Sequence, residues 1–351
     1  MKIYINGRFL SQRVTGVQRY AREVVSALDK ILQEKPTDDE WCILAPKNIT
    51  PDLPLQKIKI KICGRLTGHF CEQLELPFYA RNGFLLNLCN CAPLVKRNQL
   101  LIIHDAAIAA YPQAYSWKFR IWYRIMHTVC GKWADKIVTD SEFSRNELYQ
   151  YFGIAKDKIQ VVYGGIEHMD RIQSDDAIID EYKLHNEKFV LAVSSQNPTK
   201  NFKLVLKAAR LMPDTRFVIA GGSNKAIFAG KSTNTLKNVT YTGYVSDEKL
   251  VSLYRHAAVF VYPSLYEGFG IPPLEAMSQG CPVIVSTCAS LPEVCGDYAK
   301  YCHPDDVKTL VRMIEETLSD NHEKVACEQA IRTQYSWKAS AERIWEECAR
   351  K

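Results

Sequence analysis

Residues 262–286 read YPSLYEGFGIPPLEAMSQGCPVIVS, and this stretch constrains the fold more than any other in the chain. Ala258–Tyr262 enters it as a short apolar run, the pattern of a buried strand, and Pro282–Ser286 leaves it as the next one. Between them stands a Gly-Phe-Gly turn at 268–270. Pro272 and Pro273 then fit a first helical turn, where a missing N–H costs nothing, and Gly280 fits the helix stop. A strand that runs through a glycine turn into a helix start leaves backbone N–H groups pointing outward, which suits a phosphate. Glu267 stands just before the turn and Glu275 near the first helical turn. Each carboxylate can accept hydroxyl donors, so the layout suits a sugar or a ribose beside a phosphate.

The same alternation runs through both halves. Strand patterns fall at Lys2–Ile5, Trp41–Ala45, Ile58–Cys63, Phe84–Leu88, Leu100–His104, Lys136–Thr139 and Ile159–Tyr163. Helical spacing appears at Gly16–Leu28, with Thr15 as an N-cap, and at Ser116–Lys132. A further helix opens at Ser141 or Ser144, the second of which has capping-box form with Glu147. Gly164-Gly165 is a turn, after which strands at Phe189–Ser194, Thr215–Gly221 and Val239–Tyr241 alternate with helices at Phe202–Met212, Asp247–Arg255 and Asp305–Leu318. Two α/β domains follow, each a doubly wound parallel sheet: residues 1–165 and 166–335. In such sheets ligands bind beyond the strand C-termini, where nearly every polar motif of this chain falls.

Composition narrows the choices. The length of 351 residues suits two domains, and 47% hydrophobic residues fill two cores. The start MKIYINGRF reads without a secretion leader, and no apolar run reaches the roughly 18 residues of a spanning helix. Twelve cysteines are scattered; Cys281, Cys288, Cys295 and Cys302 recur every seven residues but fall on unlike elements, so reduced structural thiols are expected rather than a metal site. Residues 1–165 hold 23 Lys+Arg against 15 Asp+Glu, and the remainder 22 against 24. A basic first half points to an anionic partner, with no recognisable nucleic-acid module to receive it. On Ser116–Lys132, Arg120, Arg124 and His127 fall on one stripe; the helix is expected to pack on the sheet, with a contact to an anionic membrane face as the functional alternative.

The 262–286 segment, with its Gly-Phe-Gly, Pro-Leu-Glu-Ala and Gly-x-Pro-Val in order, resembles the Glu-x7-Glu signature of the retaining GT-B glycosyltransferases of family four. The resemblance implies a GT-B fold: two Rossmann-like domains facing across a cleft, with the last helix, about 336–351, crossing back to the first domain. It extends along nearly the whole chain. Thr15-Gly16-Val17, with Asn6-Gly7-Arg8, is similar to the family's glycine loop, which implies that Gly16 faces the donor. His104-Asp105 after LLII is similar to the family's His-Asp, implying a histidine near the transferred sugar and able to move a proton. Glu72-Gln73 with Pro77, and Asn90–Pro93, resemble a subgroup that makes bacterial surface polysaccharides. Gly243-Tyr244-Val245 matches the turn that meets the nucleobase.

SSQNPTKNF, residues 194–202, departs from the family. Lys200 stands where a cation grips the donor diphosphate, but Ser195 and Thr199 occupy the two positions where relatives carry an arginine. Lys203 or Arg8 is the expected substitute. The resemblance implies a retaining transfer needing no bound metal or cofactor, the nucleotide sugar being a co-substrate. Lys200 and amides of Gly268, Phe269, Gly270 and Ile271 would hold the departing diphosphate. Glu267 would orient the sugar and Glu275 the ribose. With no carboxylate placed on the far face of the sugar, a front-face substitution is expected. GDP-mannose is the leading donor, with UDP-sugars and dTDP-rhamnose as alternatives. The acceptor would be a glycan or a polyprenyl-diphosphate-linked oligosaccharide, handled in the cytoplasm or at the inner membrane face. Domain closure about Gly164–Gly165 would gate turnover. A sugar-nucleotide epimerase and a binding protein without catalysis are the competing classes. A nicotinamide dehydrogenase is disfavoured, because no Gly-x-Gly-x-x-Gly follows the first strand.

Overall fold

A computed structural model describes residues 1–50, 52–193, 197–221, 236–320 and 328–349. The chain forms two compact units, 1–165 with 335–351, and 166–334. The first holds a sheet of β1 (Lys2–Asn6), β2 (Glu40–Ala45), β3 (Lys59–Ile62), β4 (Phe84–Asn87), β5 (Gln99–Ile102), β6 (Lys136–Thr139) and β7 (Ile159–Val161). All neighbours are parallel in the order β3-β2-β1-β4-β5-β6-β7. The second holds β8 (Phe189–Val193), β9 (Arg216–Ala220), β10 (Val239–Gly243), β11 (Val259–Tyr262), β12 (Val283–Ser286) and β13 (Lys300–Cys302), parallel in the order β10-β9-β8-β11-β12-β13. The strand order reverses direction at β1/β4 in the first unit and at β8/β11 in the second, which is where such sheets open a crevice. Strands β4, β5 and β11 are buried at every position, as their unbroken apolar runs require of a sheet covered on both faces.

Eight helices matter below: α1 (Gly16–Glu34), α2 (Trp117–Trp133), α3 (Glu142–Phe152), α4 (Phe202–Leu211), α5 (Asp247–His256), α6 (Ile271–Ser278), α7 (Val307–Ser319) and α8 (Trp337–Ala349). Helix α8 belongs to the first unit: Trp337, Ala341 and Ile344 are buried with Tyr20, Val24 and Leu28 of α1. One local expectation is corrected, one is settled between two residues, and one unassigned stretch gains a helix. Thr15 precedes α1 but does not cap it, because its hydroxyl hydrogen-bonds the Gln18 side chain instead of accepting an amide. Ser141, not Ser144, caps α3 by accepting the Ser144 N–H; the Ser144 hydroxyl donates to the His104 carbonyl at 2.9 Å. Residues 68–79, assigned no element from the sequence, form a short helical run with a π turn at Cys71–Glu75.

Candidate active site

The 262–286 segment folds as β11, glycine turn, α6 and β12. Gly270 adopts φ +102°, and a Cβ there would lie 2.8 Å from Leu291 Cδ2, so both backbone and packing demand glycine. Ser290 braces the turn, its hydroxyl lying 3.0 Å from the Glu267 carbonyl and 2.9 Å from that of Phe269. Pro272 and Pro273 begin α6 and carry no N–H. The first turn of α6 therefore offers an anion fewer amide donors than a helix start without proline.

Lys200 ends a short helical turn, Pro198–Lys200, between β8 and α4. Glu267 follows β11. Because β8 and β11 are neighbours at the reversal point, two motifs 67 residues apart meet: Lys200 Nζ donates to Glu267 Oε1 at 2.6 Å. It also donates to the Tyr262 hydroxyl at 2.8 Å. The Ser264 hydroxyl donates to the same Glu267 oxygen. Burial works against the ammonium, but the charge of Glu267 and the bonds to Glu267 and Tyr262 outweigh it, and the Lys200 pKa is raised. Lys200 is thus a fixed cation. Burial with Glu267 nearby also pushes the Tyr262 hydroxyl above its ordinary range.

Glu275 lies on α6 with a separate set of partners. Its Oε1 stands 3.0 Å from His168 Nε2, and its Oε2 accepts from the Tyr254 hydroxyl of α5 at 3.2 Å. All three side chains are buried. The carboxylate is therefore oriented by His168 and Tyr254. Gly243, at φ +69°, ends β10 and turns the chain into exposed Tyr244 and half-buried Val245, at the sheet edge rather than beside Lys200. Ser195 lies outside the described residues. Thr199 is buried, and its carbonyl accepts the Leu265 N–H at 2.7 Å. No cation stands there, while Lys203 is exposed in the first turn of α4.

In the first unit, Gly16 opens α1, and a Cβ there would meet nothing within 4 Å. Its glycine is not a packing requirement of the protein itself. His104 and Asp140 follow the neighbouring strands β5 and β6, and their side chains meet at 2.6 Å, Nδ1 to Oδ2. The other ring nitrogen, Nε2, lies 3.0 Å from the Leu88 carbonyl. Both ring nitrogens are therefore engaged, one by a carboxylate and one by a backbone carbonyl. Burial lowers the His104 pKa, but Asp140, Asp105 and the Leu88 carbonyl raise it further, and the net shift is upward. A buried ring with both nitrogens engaged is held in one orientation. His127 likewise leaves the basic stripe of α2. It is buried, its pKa pushed down to about 4 by that burial, and it packs edge-on against Phe152. Arg8 is committed to Glu72 at 3.2 Å, so it is not a spare cation.

Local patterning did not flag Tyr262, Ser264, His168, Tyr254 or Ser290. Tyr262 and Ser264 lay inside the signature but read as strand and turn; His168 has no local signal at all. A further cluster, His69, Glu72 and Cys91, brings ligand atoms within 4.8 Å of one another. The Arg8 guanidinium lies 3.1 Å from His69 Nε2 and 3.2 Å from Glu72, in the place a metal cation would take. The cluster is an arginine-centred network that fixes residues 68–79 against β1, through Asn6 and Glu72 at 2.8 Å.

Residues 174–334 match the family model of glycosyl transferases group 1, and residues 86–169 that of glycosyltransferase family 4. Together with the fold, these matches place the chain among the GT-B glycosyltransferases. Within that class it resembles O-antigen mannosyltransferases. O-antigen chain mannosyltransferase B of Escherichia coli is 33% identical over 251 residues, covering 67% of this chain and 65% of that one. O-antigen chain mannosyltransferase RfbU of Salmonella typhimurium is 31% identical over 218 residues, covering 61% and 59%. The matched stretch thus spans less than two thirds of either relative. Sucrose-phosphate synthase from Thermosynechococcus elongatus shares the fold at 18% identity, with a TM-score of 0.74 over 99% of this chain and 97% of that one. Among the described residues no helix is long and apolar enough to cross a membrane.

Proposed function

We propose that this chain transfers a mannosyl group from GDP-mannose, with retention, to a glycan or polyprenyl-diphosphate-linked acceptor in surface-polysaccharide synthesis. The observation that carries the transferase reading is the Lys200–Glu267 pair at the β8/β11 reversal point. Mannose and O-antigen rest on what the two curated relatives are named for. In this reading Lys200 stabilises charge on the departing diphosphate together with amides of 268–271, in the place a metal ion takes elsewhere. Glu267, held on one oxygen by Lys200 and Ser264, accepts a sugar hydroxyl; Glu275 accepts from the ribose; Tyr244 and Val245 border the base. The acceptor proton passes to the leaving phosphate, since His104 has no free nitrogen.

The test is thermal unfolding with GDP-mannose, UDP-glucose and dTDP-rhamnose, followed by GDP release and NMR of the product anomer. A donor at 100 times its Kd adds about 2.7 kcal/mol. A shift with GDP-mannose, lost in Glu267→Gln, and an α-linked product support the reading. A shift with another donor reassigns the sugar. The buried Thr199, where relatives carry a cation, favours a second reading: a protein that binds the nucleotide sugar without transfer. That reading predicts the same thermal shift and no GDP release with any acceptor.

A further inference from the structure

Tyr262 ends β11 and is 3% exposed. Its ring stacks on Phe260 at 5.8 Å, a contact that phenylalanine would make equally well. The hydroxyl has work of its own. It accepts from Lys200 Nζ at 2.8 Å. It is also hydrogen-bonded to Glu267, the carboxylate that takes the same ammonium at 2.6 Å. Ammonium, phenol and carboxylate thus close a ring of three side chains. They come from the Pro198–Lys200 turn, the end of β11 and the glycine turn after it.

An ammonium carries three hydrogens on a rotor. Held by Glu267 alone, it could turn about the Nζ–Oε1 axis and aim the other two anywhere around it. A second bond, to Tyr262, stops that rotation and fixes the direction of the third hydrogen. Among the described residues nothing takes that third hydrogen. A phenol suits the task better than a second carboxylate would. Burial and the charge of Glu267 push its pKa up, so it stays neutral and leaves the charge of Lys200 for a ligand to feel.

We propose that Tyr262 is a positioning residue: its hydroxyl aims the free hydrogen of Lys200 at the donor diphosphate. It acts on the ligand through Lys200 and makes no contact of its own. The inference rests on the reading of Lys200 as the diphosphate cation, and adds to it the group that pre-orients that cation before the donor arrives.

Tyr262→Phe keeps the ring and removes the hydroxyl. The full chain, Tyr262→Phe, Lys200→Met and the double variant are titrated calorimetrically with GDP, UDP and dTDP, at a temperature where all four are folded. Tyr262→Phe should weaken the nucleotide that the wild type binds by about five- to ten-fold, the worth of one net hydrogen bond. In the Lys200→Met background the same change should move Kd by no more than about two-fold, because the phenol has no ammonium left to aim. A packing role, or a direct contact of Tyr262 with the ligand, would cost the same factor in both backgrounds, and equal factors overturn the proposal. So does a Tyr262→Phe that binds like the wild type while Lys200→Met binds more weakly; that result refutes this inference alone. A wild type that binds none of the three nucleotides, or a Lys200→Met that binds as well as the wild type, refutes the reading of Lys200 and this inference with it.

Discussion

Replacing Lys200 by methionine tests whether the Lys200–Glu267 pair is a structural unit. Their side chains are 20% and 10% exposed, and the ammonium holds Glu267 at 2.6 Å and the Tyr262 hydroxyl at 2.8 Å. Removing one partner of a fully buried pair costs about 3–5 kcal/mol, and breaking an exposed pair about 0–1. With this exposure, and with Ser264 still donating to Glu267, we expect a loss of about 2–3 kcal/mol. For a unit of this size that is a fall in Tm of about 5–10 °C, read by calorimetry and confined to one transition. Glu267→Gln should cost about 1–2 kcal/mol, because the ammonium then faces a neutral amide. The double variant should cost less than the sum of the two by about 1–2 kcal/mol, since the second change removes what the first left unpaired. Additivity to within about 0.5 kcal/mol would refute the pairing.

Further outcomes follow from the same contacts. Gly270→Ala should destabilise by about 1–3 kcal/mol, from a positive φ and a close approach to buried Leu291; urea unfolding checks it, and a neutral result would mean the turn relaxes. Glu275→Ala should cost more than Glu275→Gln, because it strips His168 and Tyr254 of a shared acceptor; a smaller loss from alanine would deny that network. The His104 pKa is raised, so its stabilisation is complete below the ordinary histidine range and is lost as pH climbs through the folded value; Asp140→Asn should flatten that alkaline slope. His127 has the opposite sign: its folded pKa of about 4 means stability is lost as pH falls from about 6.5 toward 4, and His127→Phe should remove that acid slope.

The sequence displayed the sheets because covered parallel strands are short apolar runs, which β4, β5 and β11 are without exception. It displayed the Glu267 turn because Gly270 and two prolines mark one backbone path. It hid what topology assembles. Lys200 and Tyr262 meet only because β8 and β11 are adjacent, and His104 and Asp140 only because β5 and β6 are. The direction of the pKa shifts was hidden for the same reason: His104 and His127 are both buried histidines of one unit, yet a neighbouring carboxylate raises the pKa of one and burial alone lowers that of the other. The run 68–79 was missed because its exposed Phe70, Leu74 and Phe78 invert the usual pattern, and a buried glutamate, Glu72, holds its inner side.

The Lys200 ammonium has three hydrogens, and Glu267 and Tyr262 take two. The third can face a phosphate oxygen without breaking either bond, so donor binding need not compete with Glu267. One ammonium against a diphosphate leaves negative charge uncompensated, and the prolines of α6 reduce the amides that could absorb it. Thr199 is buried and Arg8 is tied to Glu72, so Lys203, exposed in the first turn of α4, is the nearest candidate left from the sequence to supply a second charge. A charge-assisted hydrogen bond is worth about 1.5–3 kcal/mol, so Lys203→Met should weaken donor binding about ten-fold or more. The loss should shrink as salt rises, and calorimetric titration with GDP and with GDP-mannose measures both. Lys203→Gln, which keeps a polar end but not the charge, should behave like methionine. An unchanged Kd in both variants would mean that the amides of 268–271 and Lys200 carry the diphosphate alone, and would move the weight of the proposal onto the glycine turn.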